Sequence, residues 1–199
     1  FVRNGVGFDS IDINAAARAG IPVCNVPDYG TEEVADHAIA LTLALTRQLF
    51  PLNDEAKRLG WKLVDKDKLR RTSTLTFGVV GLGRIGIAAA LRAKALGFQV
   101  IFYDPYLPSG TEKAVGITRT NSLAKLLKQA DVVSIHCPLN EETHHLVTEK
   151  ELALMKSSAY LVNTARGGII KKKDVLSALR KGGIAGAGLD VIEDEPLKT

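Results

Sequence analysis

Between Phe77 and Asp104 the chain reads Phe-Gly-Val-Val, then Gly81-Leu-Gly83-Arg-Ile-Gly86, then an alanine- and leucine-rich run to Gly97, then Gln99-Val-Ile-Phe-Tyr-Asp104. Few folds accommodate that order. The short apolar run ending at glycine predicts a buried parallel strand. The run through Ala88–Ala95 predicts a helix that Gly97 ends. A second β-branched and aromatic run predicts another strand, closed by a carboxylate 18 positions after Gly86. Together these make the βαβ dinucleotide-binding fingerprint with its structural context present. Gly81 permits the tight turn out of the strand, Gly83 a close approach of pyrophosphate to the backbone, and Gly86 close packing of the helix. Free N–H groups and the positive end of the helix dipole then meet the phosphate charge. Asp104 can accept hydrogen bonds from both ribose hydroxyls and repels a 2′-phosphate, which favours NAD over NADP. The bland alternative, a glycine-rich turn without a ligand, does not explain strand, helix and acid in register.

Composition narrows the remaining choices. With 199 residues, 46% of them hydrophobic, the chain can bury a core of about one large domain. The net charge of +4 is mild, and the basic clusters Lys66–Arg71 and Lys171–Lys173 lack interleaved aromatics. They read as solvated faces, so no nucleic-acid partner is expected. No signal peptide is evident, and the longest apolar stretch, Ala38–Leu45, is too short to span a bilayer. Cys24 and Cys137 lie in unrelated strand-like contexts, which suits a reduced cytoplasmic protein better than a disulfide framework. No Cys/His spacing resembles a metal site.

In chain order, Phe1–Asn4 reads as a strand entering the turn Gly5-Val6-Gly7. A short alanine helix capped by Asp12 or Asn14 follows, and Pro22–Val26 forms another strand. Thr31 with Glu32 and Glu33 starts a helix running to about Leu49, apolar on most sides and expected to lie buried between two layers. Leu52–Thr74 is a charge-rich connector with a short helix and Trp61. Beyond the fingerprint come a loop at Asp104–Gly110, helices at Ser122–Gln129, Thr148–Met155 and Asp174–Lys181, and strands at Asp131–His136, Ala159–Asn163 and Ile184–Leu189. Alternating strands and helices predict an α/β, doubly wound parallel sheet of the Rossmann kind. The chain opens inside a strand and stops after an acidic turn, so it reads as a fragment.

In such sheets ligands lie beyond the C-terminal strand ends. The residues there are His136-Cys137-Pro138-Leu139-Asn140, Thr164-Ala165-Arg166-Gly167-Gly168, and Asp190 with Glu193, Asp194 and Glu195. The planar fork of Arg166 suits a substrate carboxylate or a polarised carbonyl, with a structural salt bridge as the alternative. Taken alone, the acidic turn reads as solvated. His37, in the long helix, His136, beside the adenine side, and His144-His145, in a loop, all read as structural.

The segments GVGFDSID, NVPDYGTEEVADHAIALTLALTR, VVGLGRIG, HCPLNEETHHL, LVNTARGG and LDVIEDEP carry a resemblance across essentially the whole chain. It resembles the D-isomer-specific 2-hydroxyacid dehydrogenases. The C-terminal-binding-protein branch looks closest, through ALRAKALGFQVIFYDPYLPSG and LNEETHHL; that branch contains both enzymes and transcriptional corepressors.

The resemblance implies a domain division and a set of roles. Residues 1–27 match the tail of a substrate domain, and residues 28–199 an NAD-binding Rossmann domain incomplete at its C-terminus. The glycine turn, here Gly81, Gly83, Arg84, Ile85 and Gly86, holds NAD, and Asp104 takes the adenosine ribose. Cys137, Pro138, Asn140 and Thr143 line the crevice with Thr164, Ala165 and Arg166, and Asp190 meets the nicotinamide amide. Gly5-Val6-Gly7 matches a turn facing the substrate carboxylate, with Val6 placed among the cofactor contacts. Arg166 matches the catalytic arginine, and Glu195 the acid that orients a catalytic histidine. That histidine is expected beyond Thr199. The implied activity is NAD-dependent interconversion of 2-oxoacids and D-2-hydroxyacids, by a cytoplasmic homodimer without membrane or direct nucleic-acid partners. The alternatives are an NAD(H)-sensing corepressor scaffold, nuclear in that case, and a catalytically dead nucleotide-binding domain.

Overall fold

A computed structural model describes residues 1–58 and 69–195. Trp61 and the lysines at 66 and 68 of the expected basic connector lie outside them. Within the βαβ unit, β3 (Thr76–Val80) leads through the glycine turn into α4 (Arg84–Ala95) and back along β4 (Gln99–Tyr103). The alternation of side chains along β3 explains its two-sided burial. Phe77 and Val79 enter one core with Ala90, Ala93 and Phe102, whereas Val80 enters the other with Leu126, Val133 and Ile135. A Cβ at Gly78 would lie 2.8 Å from Leu126 Cδ2, so a bare backbone is needed for the helix that covers this face.

The remaining elements are α5 (Thr111–Val115), β5 (Thr118–Arg119), α6 (Leu123–Gln129), β6 (Val132–Ile135), α7 (Glu149–Leu152), β7 (Tyr160–Asn163), α8 (Lys172–Lys181) and β8 (Gly186–Leu189). Six parallel strands stand in the order β5-β4-β3-β6-β7-β8. The expected doubly wound sheet is present. The chain first builds outward from β3 to β5, then returns to pair β6 with β3 and builds the other way. The switch point therefore falls between β3 and β6, where the two outgoing segments diverge and leave a crevice. The sequence reading missed α5 and β5, and it placed a helix at Thr148–Met155 where α7 is a single capped turn with Thr148 and Glu151 in a capping box.

Ahead of this sheet, β1 (Val2–Arg3) pairs in parallel with β2 (Cys24–Asn25) across α1 (Ile13–Arg18). Asp12 caps α1, its Oδ1 accepting from Ala15 N at 2.8 Å. Among the described residues this ribbon shares no strand pairing with the six-stranded sheet.

The long helix corrects one expectation. It runs as α2 (Thr31–Thr46), breaks at Gln48 (φ 54°), and restarts as α3 (Leu49–Lys57). It does not lie between two layers. Ala35, Ala38, Ile39 and Thr42 face α4 and the sheet, while Glu32, Glu33, Asp36, His37 and Ala40 are exposed. Burial of Thr42 and Thr46 is tolerated because their hydroxyls donate to Ala38 and Thr42 carbonyls, each at 2.8 Å. The glycines of β8 admit the helix closely: a Cβ at Gly188 would sit 3.1 Å from Leu41 Cβ.

The basic connector is also more than a solvated face. Arg70 Nη1 donates to Asp131 Oδ1 at 2.8 Å, and Lys156 Nζ reaches the same oxygen at 3.0 Å. Thr76 N donates to Oδ2 at 2.9 Å. The Asp131 side chain is only 4% exposed. Burial alone would raise its pKa, but these donors outweigh it and hold the carboxyl below its ordinary value.

Candidate active site at the sheet's C-terminal edge

Backbone geometry builds the first wall. Gly81 stands at φ 89°, and a Cβ there would lie 2.6 Å from Cys137 N, so the exits of β3 and β6 touch through bare backbone. A Cβ at Gly86 would lie 2.2 Å from the Gly81 carbonyl oxygen, which packs α4 onto the turn. Gly83 differs: nothing lies within 4 Å of where its Cβ would stand. The open space at Gly83 faces the start of α4, whose first amides have no partner within the helix. Arg84 is exposed there and Ile85 half-buried. An anionic pyrophosphate fits this place.

At the end of β4, Asp104 is already oriented. Leu82 N donates to its Oδ2 at 2.9 Å and Tyr106 N to its Oδ1 at 3.0 Å. Each oxygen keeps lone-pair capacity for a hydroxyl donor.

The loop after β6 is self-bracing. Asn140 Oδ1 accepts from Glu142 N at 3.0 Å and Thr143 N at 2.9 Å, and Thr143 Oγ1 donates to the Pro138 carbonyl at 2.5 Å. Asn140 and Thr143 thus shape the loop with their side chains, while Cys137 and Pro138 form its base. Burial pushes the Cys137 thiol up to about 11, with the Asp104 charge adding to it. Burial likewise pushes His136 down to about 4, leaving a neutral ring whose Nε2 meets Ser134 Oγ at 2.8 Å. That contact ties the His136 ring back to Ser134 of β6.

At the end of β7, Asn163 folds the chain back on itself: Nδ2 donates to the Arg166 carbonyl at 2.9 Å and Oδ1 accepts from Ala165 N at 3.0 Å. Thr164 Oγ1 between them is buried with no partner among the described residues. An unsatisfied buried hydroxyl at the crevice wall fits a polar ligand group. Arg166 leaves the sheet and meets the N-terminal segment. Its Nε donates to Asp9 Oδ1 at 2.9 Å and its Nη1 to the Ala165 carbonyl at 2.7 Å. A side chain at Gly7 would overlap the guanidinium. The Gly5-Val6-Gly7 turn, with Val6 half-buried, therefore lies against the arginine. Burial raises the Asp9 pKa, but hydrogen bonding and charge from Arg166 lower it further, so the carboxylate stays ionised. Sequence reasoning passed over Asp9; its only signal was a carboxylate two residues after a glycine turn.

The last wall follows β8. Asp190 N donates to the Asn163 carbonyl at 3.0 Å, and the Asp190 carboxylate faces His37 Nε2 at 3.4 Å. His37 is thus half-exposed on the crevice side rather than buried in α2. The acidic turn is ordered. Glu193 accepts from His145 Nε2 at 2.5 Å and from Lys172 N at 2.7 Å. Burial opposes its ionisation and His145 promotes it, with the net pKa lowered. A Cβ at Gly167 would lie 2.0 Å from the Ile192 carbonyl group, so the turn rests on the arginine segment backbone to backbone. Glu195 is exposed and accepts from Ile192 N at 2.6 Å. No hydrogen bond or ion pair joins it to Arg166 among the described residues.

Three glycines at the exit of β3, a carboxylate at the tip of β4 and an arginine aimed at a second chain segment, on a doubly wound parallel sheet, are the arrangement of a dinucleotide-binding domain. Residues 39–199 match the NAD binding domain of the D-isomer specific 2-hydroxyacid dehydrogenases, and the chain belongs to that family. It is 40% identical over 198 residues to a D-3-phosphoglycerate dehydrogenase of Methanocaldococcus jannaschii, covering 98% of this chain and 37% of that protein. It is 42% identical over 195 residues to a glyoxylate reductase of Korarchaeum cryptofilum, covering 96% of this chain and 58% of that one. The crystal structure of a D-lactate dehydrogenase from Aquifex aeolicus, complexed with NAD and lactic acid, superposes with a TM-score of 0.92 at 39% identity. That match covers 98% of this chain and 58% of the other. The chain thus spans well under two thirds of these relatives' length. Among the described residues no helix is long and apolar enough to cross a membrane, and no group of three or more His, Cys, Asp or Glu is placed to hold a metal ion.

Proposed function

We propose that this chain supplies the cofactor site and the substrate-binding arginine of an NAD-dependent dehydrogenase that interconverts 2-oxoacids and D-2-hydroxyacids. The observation that carries the reading is Arg166: it projects from the cofactor sheet onto the Gly5-Val6-Gly7 turn, the place where a substrate would lie between two segments. The cofactor residues are the turn Gly81–Gly86, Asp104, the Cys137–Thr143 loop, Thr164, Ala165 and Asp190, with Val6 at the opposite wall.

When bound, NAD supplies the hydride acceptor or donor. The chain's own groups do the rest. The turn and α4 fix the pyrophosphate, and Asp104 the adenosine ribose. Arg166 binds the substrate carboxylate and polarises the carbonyl with one planar fork, a geometry that a point charge cannot reproduce. Asp9 shares that guanidinium and holds it across the crevice. Glu195 orients a proton-donating histidine. None of the four histidines of this chain pairs with Glu195 among the described residues.

The division at residue 27 belongs to the same reading. Phe1, Val2, Phe8, Ile13 and Ile21 are exposed, and among the described residues β1 and β2 pair with each other apart from the six-stranded sheet. Pairing of two copies is proposed at α2 and α3, where Leu49 and Phe50 are exposed. A reducing, cytoplasmic setting suits the two free thiols. No observation on the described residues favours the corepressor alternative.

The test is Arg166→Lys in the intact protein. Turnover of a 2-oxoacid should fall about a hundredfold if about 3 kcal/mol of transition-state contact is lost, with NADH affinity unchanged. Unchanged turnover would remove Arg166 from the active site.

A further inference from the structure

The edge strand β5 carries an arginine whose two terminal nitrogens donate to a loop outside its own strand. Arg119 Nη1 donates to the Asp104 and Leu107 carbonyls, each at 3.2 Å, and Nη2 to the Pro108 carbonyl at 2.7 Å. Its Nε donates to Glu112 Oε2 at 3.0 Å, and the guanidinium carbon lies 4.9 Å above the Phe102 ring. The side chain is 21% exposed. Glu112 completes the arrangement from the far side, its Oε1 accepting from Gly110 N at 3.1 Å. Three carbonyls and one amide of a single loop are thus gathered on one ion pair.

That loop begins with the ribose-facing carboxylate. Within that loop Tyr106 N donates to Asp104 Oδ1, and Leu82 N holds the other oxygen. We propose that Arg119 is the positioning residue for Asp104, fixing the carboxylate at the tip of β4 and thereby setting the preference for NAD over NADP. The inference rests on the cofactor reading above and deepens it.

Two physical features carry it. Only a planar fork with five donors serves three converging carbonyls and a carboxylate at once. In addition, an arginine near the adenosine ribose would ordinarily welcome a 2′-phosphate. Here its charge is paired with Glu112 and its donors are directed into the loop, so the guanidinium enforces the acid's position instead of offsetting it.

The test compares NADH and NADPH affinities by fluorescence titration of the intact wild-type protein, Arg119→Met and Arg119→Lys. Methionine keeps the apolar stem over Phe102, and lysine keeps the charge without the fork. NADH affinity should fall about tenfold in Arg119→Met while NADPH affinity changes less, so the preference narrows. Arg119→Lys should narrow it as well, and decides the matter alone if the methionine variant does not fold. A purely structural role would lower the melting temperature and both affinities together, leaving their ratio unchanged; an unchanged ratio overturns the inference. Full wild-type preference in Arg119→Lys does the same, because charge alone would then suffice. A wild-type protein that fails to bind NADH removes the cofactor reading and this inference with it.

Discussion

Gly83→Ala should abolish tight cofactor binding in a protein that stays folded, whereas Gly86→Ala should destabilise the fold itself. At Gly86 the added methyl would stand 2.2 Å from the Gly81 carbonyl oxygen, 3.2 Å from its carbon and 3.4 Å from His136 Cβ. The first contact is backbone and falls about 1 Å short of ordinary van der Waals distance, so α4 must shift or the turn must open. Overpacking of this kind costs about 1–3 kcal/mol, offset in part by about 1 kcal/mol from replacing a helical glycine with alanine. A contact this close to rigid backbone takes the upper end of that range, so the net loss is about 2 kcal/mol, which lowers Tm by about 4–8 °C in a domain of this size. At Gly83 nothing lies within 4 Å of the added methyl, and the backbone (φ −78°, ψ −162°) suits any residue. Its Tm should therefore move little or rise slightly, since alanine restricts the unfolded chain by about 0.4–1 kcal/mol. The methyl nevertheless stands in the open space beside the first α4 amides, where the pyrophosphate is placed. Each charged hydrogen bond to pyrophosphate lost there is worth about 1.5–3 kcal/mol, tenfold or more in Kd. Thermal melting followed by NADH titration on the same samples separates the two effects. Wild-type NADH affinity in Gly83→Ala would refute the placement of the pyrophosphate, and an unchanged Tm in Gly86→Ala would refute the packing argument.

Two further outcomes follow from titrating groups. Asp131→Asn should cost about 1.5–3 kcal/mol at neutral pH by removing charged hydrogen bonds to Arg70, Lys156 and Thr76 N. Because the folded carboxyl is depressed, its contribution is present above the ordinary value of 3.8 and fades as pH falls below it; urea melts of both proteins should converge only in that acid range. At pH 8, iodoacetamide should label the exposed Cys24 and spare Cys137, whose thiol burial has pushed to about 11; mass spectrometry showing equal labelling would contradict that burial.

What the amino-acid sequence determined by itself is the part of the molecule governed by backbone sterics and side-chain periodicity, which act over a few residues. The apolar run Phe77–Val80, the glycines at 81, 83 and 86, the stop at Gly97 and the acid at Asp104 each declare a local conformation, and all stand where the pattern placed them. The same holds for the strand ends at Asn163 and Leu189, and to within one residue for the strand expected to end at His136, which ends at Ile135. Signals vanished where an element was too short for a period, as in the two residues of β5; at the break by Gln48, by contrast, Pro51 in the first turn of α3 marked the restart. Tertiary structure alone decided the pairings made across the sheet's edges: Asp9 with Arg166, 157 residues apart; Asp131 with Arg70 and Lys156; Asp190 with His37; and Arg119 with the Asp104 loop. None of these is visible in spacing, because the partners meet only after parallel crossovers carry the ends of separate strands to one side of the sheet. A carboxylate or guanidinium in a sequence states its charge, but its neighbour, and so its role, is set by which strand ends the topology brings together.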